Sequence, residues 1–169
     1  MSRATVPAVT ATTLTFRPAR TFAEIGGAFE REREELRRLL PAAEVLHTGA
    51  TSVPDALTRG DLDIHVRVAA DAFAEACDAL RRSYVAYRPA MWSTGFAAFV
   101  AADRRVPTGV ALTAIGGEHD RRFLSGWERL GRDRALLEDY NALKVRYEGS
   151  GDTDSYETEK SAFFTRAAA

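Results

Sequence analysis

The sequence predicts an α+β domain, a small mixed and partly antiparallel sheet with helices packed on it. Three observations carry this. Apolar residues recur at helical intervals near both ends of the chain, short strand patterns cluster in the middle, and the connection around 103–109 is of hairpin length. The 169 residues are 46% hydrophobic and 28% charged, which suits one soluble domain with a real core. Residues 1–18 read as a loose Ala/Thr/Pro/Val-rich arm, with a short strand pattern at "TLTFRP", and 19–169 read as the domain.

The first firm element is "TFAEIGGAFEREREELRRLL". Phe22, Ile25, Phe29, Leu36 and Leu39 mark a helix face, and Pro41 ends it. Thr21 with Glu24 has capping-box spacing. Gly26 and Gly27 are poor helix residues, so a close neighbour is expected there. "AEVLH" (43–47) reads as a short strand, and "TGATSVPDALTRG" as a turn with one helical turn after Pro54. "DLDIHVRV" alternates strictly, with Leu62, Ile64 and Val66 on one face and Asp61, Asp63, His65 and Arg67 on the other. "ADAFAEACDALRRSY" is an amphipathic helix with Phe73, Ala76, Cys77 and Leu80 inward. "YVAYRP", "GFAAFVA" and "GVALTAI" follow as strands. Helices close the chain over 118–131, 134–148 and 154–167, the last two separated by "GSGDT".

Charge and cysteine usage narrow the class. The 23 basic and 24 acidic residues leave a net charge of −1, so no global footprint points to nucleic acid or to an anionic membrane. The lone Cys77 can form no internal disulfide, and no run approaches the length that spans a bilayer. The N-terminus lacks a long apolar segment of the secretory type, so a cytoplasmic enzyme or binding protein is expected.

The unusual stretch is "GATSVPDALTRGDLDIHV". Aspartate is a poor strand former, yet Asp61 and Asp63 sit at i and i+2, on one face and about 7 Å apart. Two such carboxylates repel unless something positive lies between them. Mg2+ fits, since it is held by one or two carboxylates with waters and phosphates. The turn from Gly49 through Ala50 offers backbone N–H groups, and Thr51 and Ser52 offer hydroxyls, for phosphate oxygens. Phosphate on the turn and metal on the next strand is the arrangement of nucleotidyl transfer.

"LHTGATSVPDALTRGDLDIHV" resembles the signature of the GrpB family, a branch of the nucleotidyltransferases with the DNA polymerase β type of fold. His47, Gly49, Thr51, Val53, Pro54 and Asp63 fall on its motif positions, and Arg59 stands at its lysine. "YNALK" and "YETEKSAFF" are similar to later family segments, giving Tyr140, Lys144, Tyr156, Lys160 and Phe163. Departures are Ala50 at a serine, Asp55 at a glycine, Gly60 at a proline, and "GWERLG" with Glu128 at an aspartate. "GVALTAI" carries neither the family's histidines nor a third carboxylate.

The resemblance implies a Mg2+-dependent enzyme acting on ATP or another NTP and an unknown small-molecule or macromolecular acceptor. Asp61 and Asp63 would be catalytic and metal-binding. Gly49, Ala50, Thr51, Ser52, Arg59, Lys144 and Lys160 would hold phosphates, with His47, His65, Glu128 and Tyr140 as further candidates. Two other readings stay open. One is a non-catalytic nucleotide-binding or accessory module, as in chains where such a domain is fused to the coenzyme A pathway kinase. The other is an ATP-dependent activating or ligating enzyme. His119 and the arginines at 121, 122, 129, 132 and 134 read as helix surface, and Trp92 and Trp127 as core or pocket walls.

Overall fold

A computed structural model describes residues 13–167. In chain order the elements are β1 (Arg17–Pro18), α1 (Glu24–Leu39), β2 (Glu44–Thr48), β3 (Leu57–Thr58), β4 (Leu62–Val68), α2 (Phe73–Leu80), β5 (Val85–Ala86), β6 (Phe96–Ala101), β7 (Thr108–Ala114), α3 (Glu118–Arg132), α4 (Arg134–Arg146) and α5 (Thr153–Ala167). The main sheet runs β2-β4-β7-β6-β5, and β1 pairs separately with β3. Only the central β4–β7 pair is parallel; the other pairs are antiparallel. The sheet is therefore mixed, as the sequence predicts. The β6–β7 hairpin turns through 102–107, where Asp103 takes φ 57°.

The alternation along β4 divides the molecule. Leu62, Ile64, Val66 and Val68 join Ile25, Ala28 and Leu36 of α1 and Phe73, Ala76, Cys77 and Leu80 of α2 in the main core. The odd-numbered side chains face the other way, toward α3. A second apolar cluster joins Leu14, Phe16, Ala50, Val53 and Ala56 to Leu130 of α3, Tyr140 and Leu143 of α4, and Tyr156 and Phe163 of α5. The carboxylate-bearing end of β4 lies between these two cores.

Several local expectations fail for identifiable reasons. Residues 1–12 of the expected arm lie outside the described residues, but residues 14–18 are not loose. Leu14 is fully buried, Phe16 nearly so, and Arg17 and Pro18 pair with Thr58 and Leu57. Thr21 does not cap α1; it sits in a 3-10 turn and its hydroxyl donates to Pro18 O at 2.8 Å. No other element packs on Gly26 or Gly27, which are exposed; the nearest group to Gly27 is the Arg31 side chain of the same helix. The helical turn expected after Pro54 instead precedes it, as a 3-10 turn at Ala50–Ser52. Helix α2 and strand β5 are shorter than their patterns suggest, and Pro89–Met91 forms a 3-10 turn. No helix of the described residues is long and apolar enough to cross a membrane.

Candidate functional site

Asp61 and Asp63 stand at the start of β4 and line one narrow cleft of about 50 Å³. Arg59, Lys144, Lys160 and Glu157 line it with them, walled by Phe16, Tyr140, Tyr156 and Trp127. The β3 segment, α4 and α5 thus meet the sheet at its acidic end. Lys144 is almost fully buried, and its Nζ donates to Leu57 O while lying 4.2 Å from the Tyr140 ring centre. Lys160 pairs with Glu157 at 3.3 Å, and Arg59 with Asp61 at 3.0 Å. Asn141 fastens the seam: its Oδ1 accepts from Leu57 N at 2.7 Å and its Nδ2 donates to Asp55 O at 2.9 Å.

The charges in the cleft reshape one another. Asp63 keeps surface open to solvent, yet the protein around it raises its carboxyl pKa to about 6. Desolvation is the leading cause, opposed by Lys160, reinforced by Asp61, and opposed again by Lys144 and Arg59. Its open side reaches water, which works against the rise. Burial lowers Lys144 to about 7, with Lys160 pushing the same way and Asp63 restoring part of the loss. An anion entering the cleft would relieve the lysine, and a cation would relieve the aspartate.

Gly49 makes this placement possible. It adopts φ 74° and ψ −178°, backbone that is nearly reserved for glycine. A Cβ there would stand 2.1 Å from Asp63 Oδ2, so the carboxylate rests on bare backbone. On the other side Asp63 pairs with Gly109 of β7, whose added Cβ would lie 3.4 Å from Oδ1. The hydroxyls expected to hold phosphate are otherwise engaged. Thr51 is buried and its Oγ1 donates to Asp61 O at 3.1 Å, while Ser52 Oγ donates to Gly49 O at 2.7 Å. Both bonds brace the turn, in which Ser52 N and Val53 N also donate to Gly49 O and Ala50 O, and Ala50 lines the cleft.

Neither histidine of the motif region joins the carboxylates. His47 points to the α1 face, where its ring stacks on Phe29 at 5.1 Å. Its Nε2 bonds Thr51 Oγ1 at 3.0 Å, and burial lowers its pKa. Because Thr51 donates onward to Asp61 O, His47 is the donor to Thr51 and steadies the turn from behind. His65 is 1% exposed rather than solvated. It lies under Phe123 of α3, with Nε2 2.7 Å from Thr113 Oγ1. Thr113 donates to Asp120 Oδ1 at 3.1 Å, so His65 donates to Thr113. Asp120 is buried and accepts from Arg67 Nε and Nη2 at 2.6 and 2.9 Å and from Gly116 N at 2.9 Å. These bonds hold its carboxyl well below the usual range, the Arg67 bond first. Desolvation outweighs Asp120 at His65 and lowers the imidazole to about 4.

Glu128 lies outside the carboxylate cleft. It pairs with Arg132 at 2.8 Å and lines a larger groove of about 390 Å³ between α3 and β2. Leu46, Thr48, Ser52, Phe123, Leu124 and Gly131 form much of that groove, and Trp127 borders both cavities. Tyr140 and Tyr156 form cleft walls but are 1% and 3% exposed, so their rings belong to the second core. Arg121, Arg122, Arg129, Arg132 and Arg134 all bond to partners on the helices or their ends. His119 is half-buried, stacked on Phe96 at 4.5 Å. Asp120 and Asn141 escape sequence reasoning, since a lone acid in a helical first turn and a lone helical amide carry no spacing signal.

Comparison with known proteins fits this architecture. A crystal structure of the conserved protein GrpB from Enterococcus faecalis superposes with a TM-score of 0.69 at 22% identity, covering 86% of this chain and 91% of that one. The Cid1 poly(U) polymerase bound to MgGTP superposes with a TM-score of 0.50 at 15% identity, over 73% of this chain and 41% of that one. These likenesses place the fold among the nucleotidyltransferase folds. A "UPF0157 protein" of Vibrio cholerae is 28% identical over 133 residues, 78% of this chain and 69% of that protein. The GrpB protein family matches residues 23–169, and the chain belongs to the GrpB family.

Proposed function

We propose that the protein binds a nucleoside triphosphate with Mg2+ in the carboxylate cleft and transfers its nucleotidyl group to an acceptor. The observation that carries this is the meeting of Asp61 and Asp63 with Arg59, Lys144 and Lys160 in one cleft. The donor set suits the ion. Two carboxylates on one strand face, backed by glycines that leave Asp63 uncrowded, match the one or two that Mg2+ takes. Bound there, the cation would neutralise phosphate charge. Arg59, Lys144 and Lys160 hold the β- and γ-phosphates and stabilise charge as it develops on the leaving group. An acceptor oxygen or nitrogen forms a bond to the α-phosphorus, the bond to the bridging oxygen breaks, and pyrophosphate leaves. Calorimetry with ATP, GTP, CTP and UTP, with and without Mg2+, tests the reading. Metal-dependent binding that Asp63→Asn abolishes supports it, and binding that Asp63→Asn leaves intact refutes it.

A second reading keeps the binding and drops the turnover. Gly109 and Ala111 stand beside Asp63 and His65 on β7, where a third carboxylate would complete the set usual in active transferases. Mg2+-dependent binding with no pyrophosphate release across acceptors would favour this module. Release of ADP rather than pyrophosphate would instead mark ATP-dependent activation.

A further inference from the structure

Two cavities of unequal size and chemistry meet at Trp127. The carboxylate cleft, of about 50 Å³, is ringed by three cationic and three acidic side chains. That volume falls well below the range of ordinary small-molecule sites. The groove between α3 and β2, of about 390 Å³, falls in the range of ordinary ligand sites. Its lining is mixed: Leu46, Val53, Phe123, Leu124 and Trp127 give an apolar wall, and His47 and His65 also line it. Thr48 and Ser52 supply hydroxyl oxygens, and Glu128 and Arg132 supply charge at its exposed rim.

Stacking needs an aromatic face that is not already packed away. Tyr140 and Tyr156 fail this, being sealed in the second core. Trp127 is half-buried: it packs on Phe164 at 4.6 Å and meets Tyr140 edge-on at 6.0 Å, and it borders both cavities. The two cavities also join through the sheet, because Thr48 in the groove pairs directly with Asp63 in the cleft.

We infer that the groove between α3 and β2 binds the nucleoside half of the nucleotide, its base against Trp127, while the cleft takes the polyphosphate and its cation. This rests on the nucleotide reading above and adds where the base lies. A planar, weakly polar base suits the apolar wall, and its ring nitrogens and exocyclic groups suit the hydroxyls and the Glu128–Arg132 rim.

Trp92→Phe leaves Trp127 as the sole tryptophan; because Trp127 borders both cavities, a ligand that fills the cleft alone serves as the reference for its fluorescence. Each NTP with Mg2+ is compared with inorganic tripolyphosphate and Mg2+, binding being followed by calorimetry as well. NTPs should bind at least tenfold more tightly than tripolyphosphate and quench Trp127 by more than tripolyphosphate does at saturation. Gly131→Phe fills the groove mouth, and nothing lies within 4 Å of the Cβ it adds. It should weaken NTP binding at least tenfold and leave tripolyphosphate binding unchanged. NTP binding that ignores Gly131→Phe and changes Trp127 fluorescence no more than tripolyphosphate does overturns the groove assignment while the cleft reading stands. Failure of both NTPs and tripolyphosphate to bind the wild-type protein overturns both.

Discussion

His65→Gln should change how stability depends on pH, because His65 is a neutral donor buried beneath α3. Its Nε2 donates to Thr113 Oγ1 at 2.7 Å, and the Gln amide can reach the same position and keep a donor there. Burial lowers the folded-state pKa from 6.5 to about 4, despite the pull of Asp120. A depressed histidine pKa means that the unfolded chain takes up the proton first. The native state therefore loses stability as pH falls from about 6.5 to about 4, and the loss levels off below that. Integration over that window gives a loss, relative to pH 7.5, of about 2 kcal/mol at pH 5 and about 3 kcal/mol at pH 4. Asp120 is depressed, so its stabilisation is lost only below its unfolded value of 3.8, outside this window. Asp63 is raised and titrates within it, but it is common to both proteins and cancels in the difference. Urea unfolding of wild type and His65→Gln at pH 7.5, 5 and 4 measures the effect. A difference that stays flat to within about 0.5 kcal/mol from pH 7.5 to 4 would refute the buried neutral imidazole.

Other perturbations probe the cleft and its supports. Gly49→Ala should cost about 1–3 kcal/mol from backbone conformation alone. It should also displace Asp63, so Mg2+-dependent nucleotide binding falls more than thermal stability does; unchanged binding would remove Gly49 from the site. Lys144 has its pKa lowered to about 7, so it loses its charge as pH rises above that value. Polyphosphate affinity should then decline from pH 7 to 9, and Lys144→Met should bind more weakly and show a flatter profile by calorimetry. Leu14→Ala should lower the unfolding free energy by about 2–5 kcal/mol in urea titration, as for a fully buried leucine. A loose arm would give a change near zero.

What the sequence discloses here follows its periodicities. The alternation of "DLDIHVRV" fixes which side chains of β4 enter the main core, and the helical repeats locate α1, α3, α4 and α5 to within two or three residues. The family resemblance brings Asp61, Asp63, Arg59, Lys144 and Lys160 to one cleft across about 100 residues of chain, which spacing alone could not do. What fails is which partner a polar side chain takes and what packs over it. Thr21 has the spacing of a cap, but its hydroxyl turns back to Pro18 O. Thr51 and Ser52 have the chemistry of phosphate donors, but Asp61 O and Gly49 O claim them first. His65 shares a strand face with Asp63, yet α3 covers one and leaves the other open. Alternation assigns a face; it does not say what lies on that face.

Gly109 bears on the order in which ligands arrive. With glycine rather than an acid beside Asp63, the cleft holds Asp61, Asp63 and Glu157 against Arg59, Lys144 and Lys160, a formal balance of zero. Such a site has little electrostatic reason to collect a bare divalent ion from solution. A polyphosphate already carrying its metal meets no such barrier, since the lysines draw the anion and the aspartates meet the ion it brings. Metal and nucleotide should therefore load as one complex, with little measurable Mg2+ affinity before the nucleotide is present.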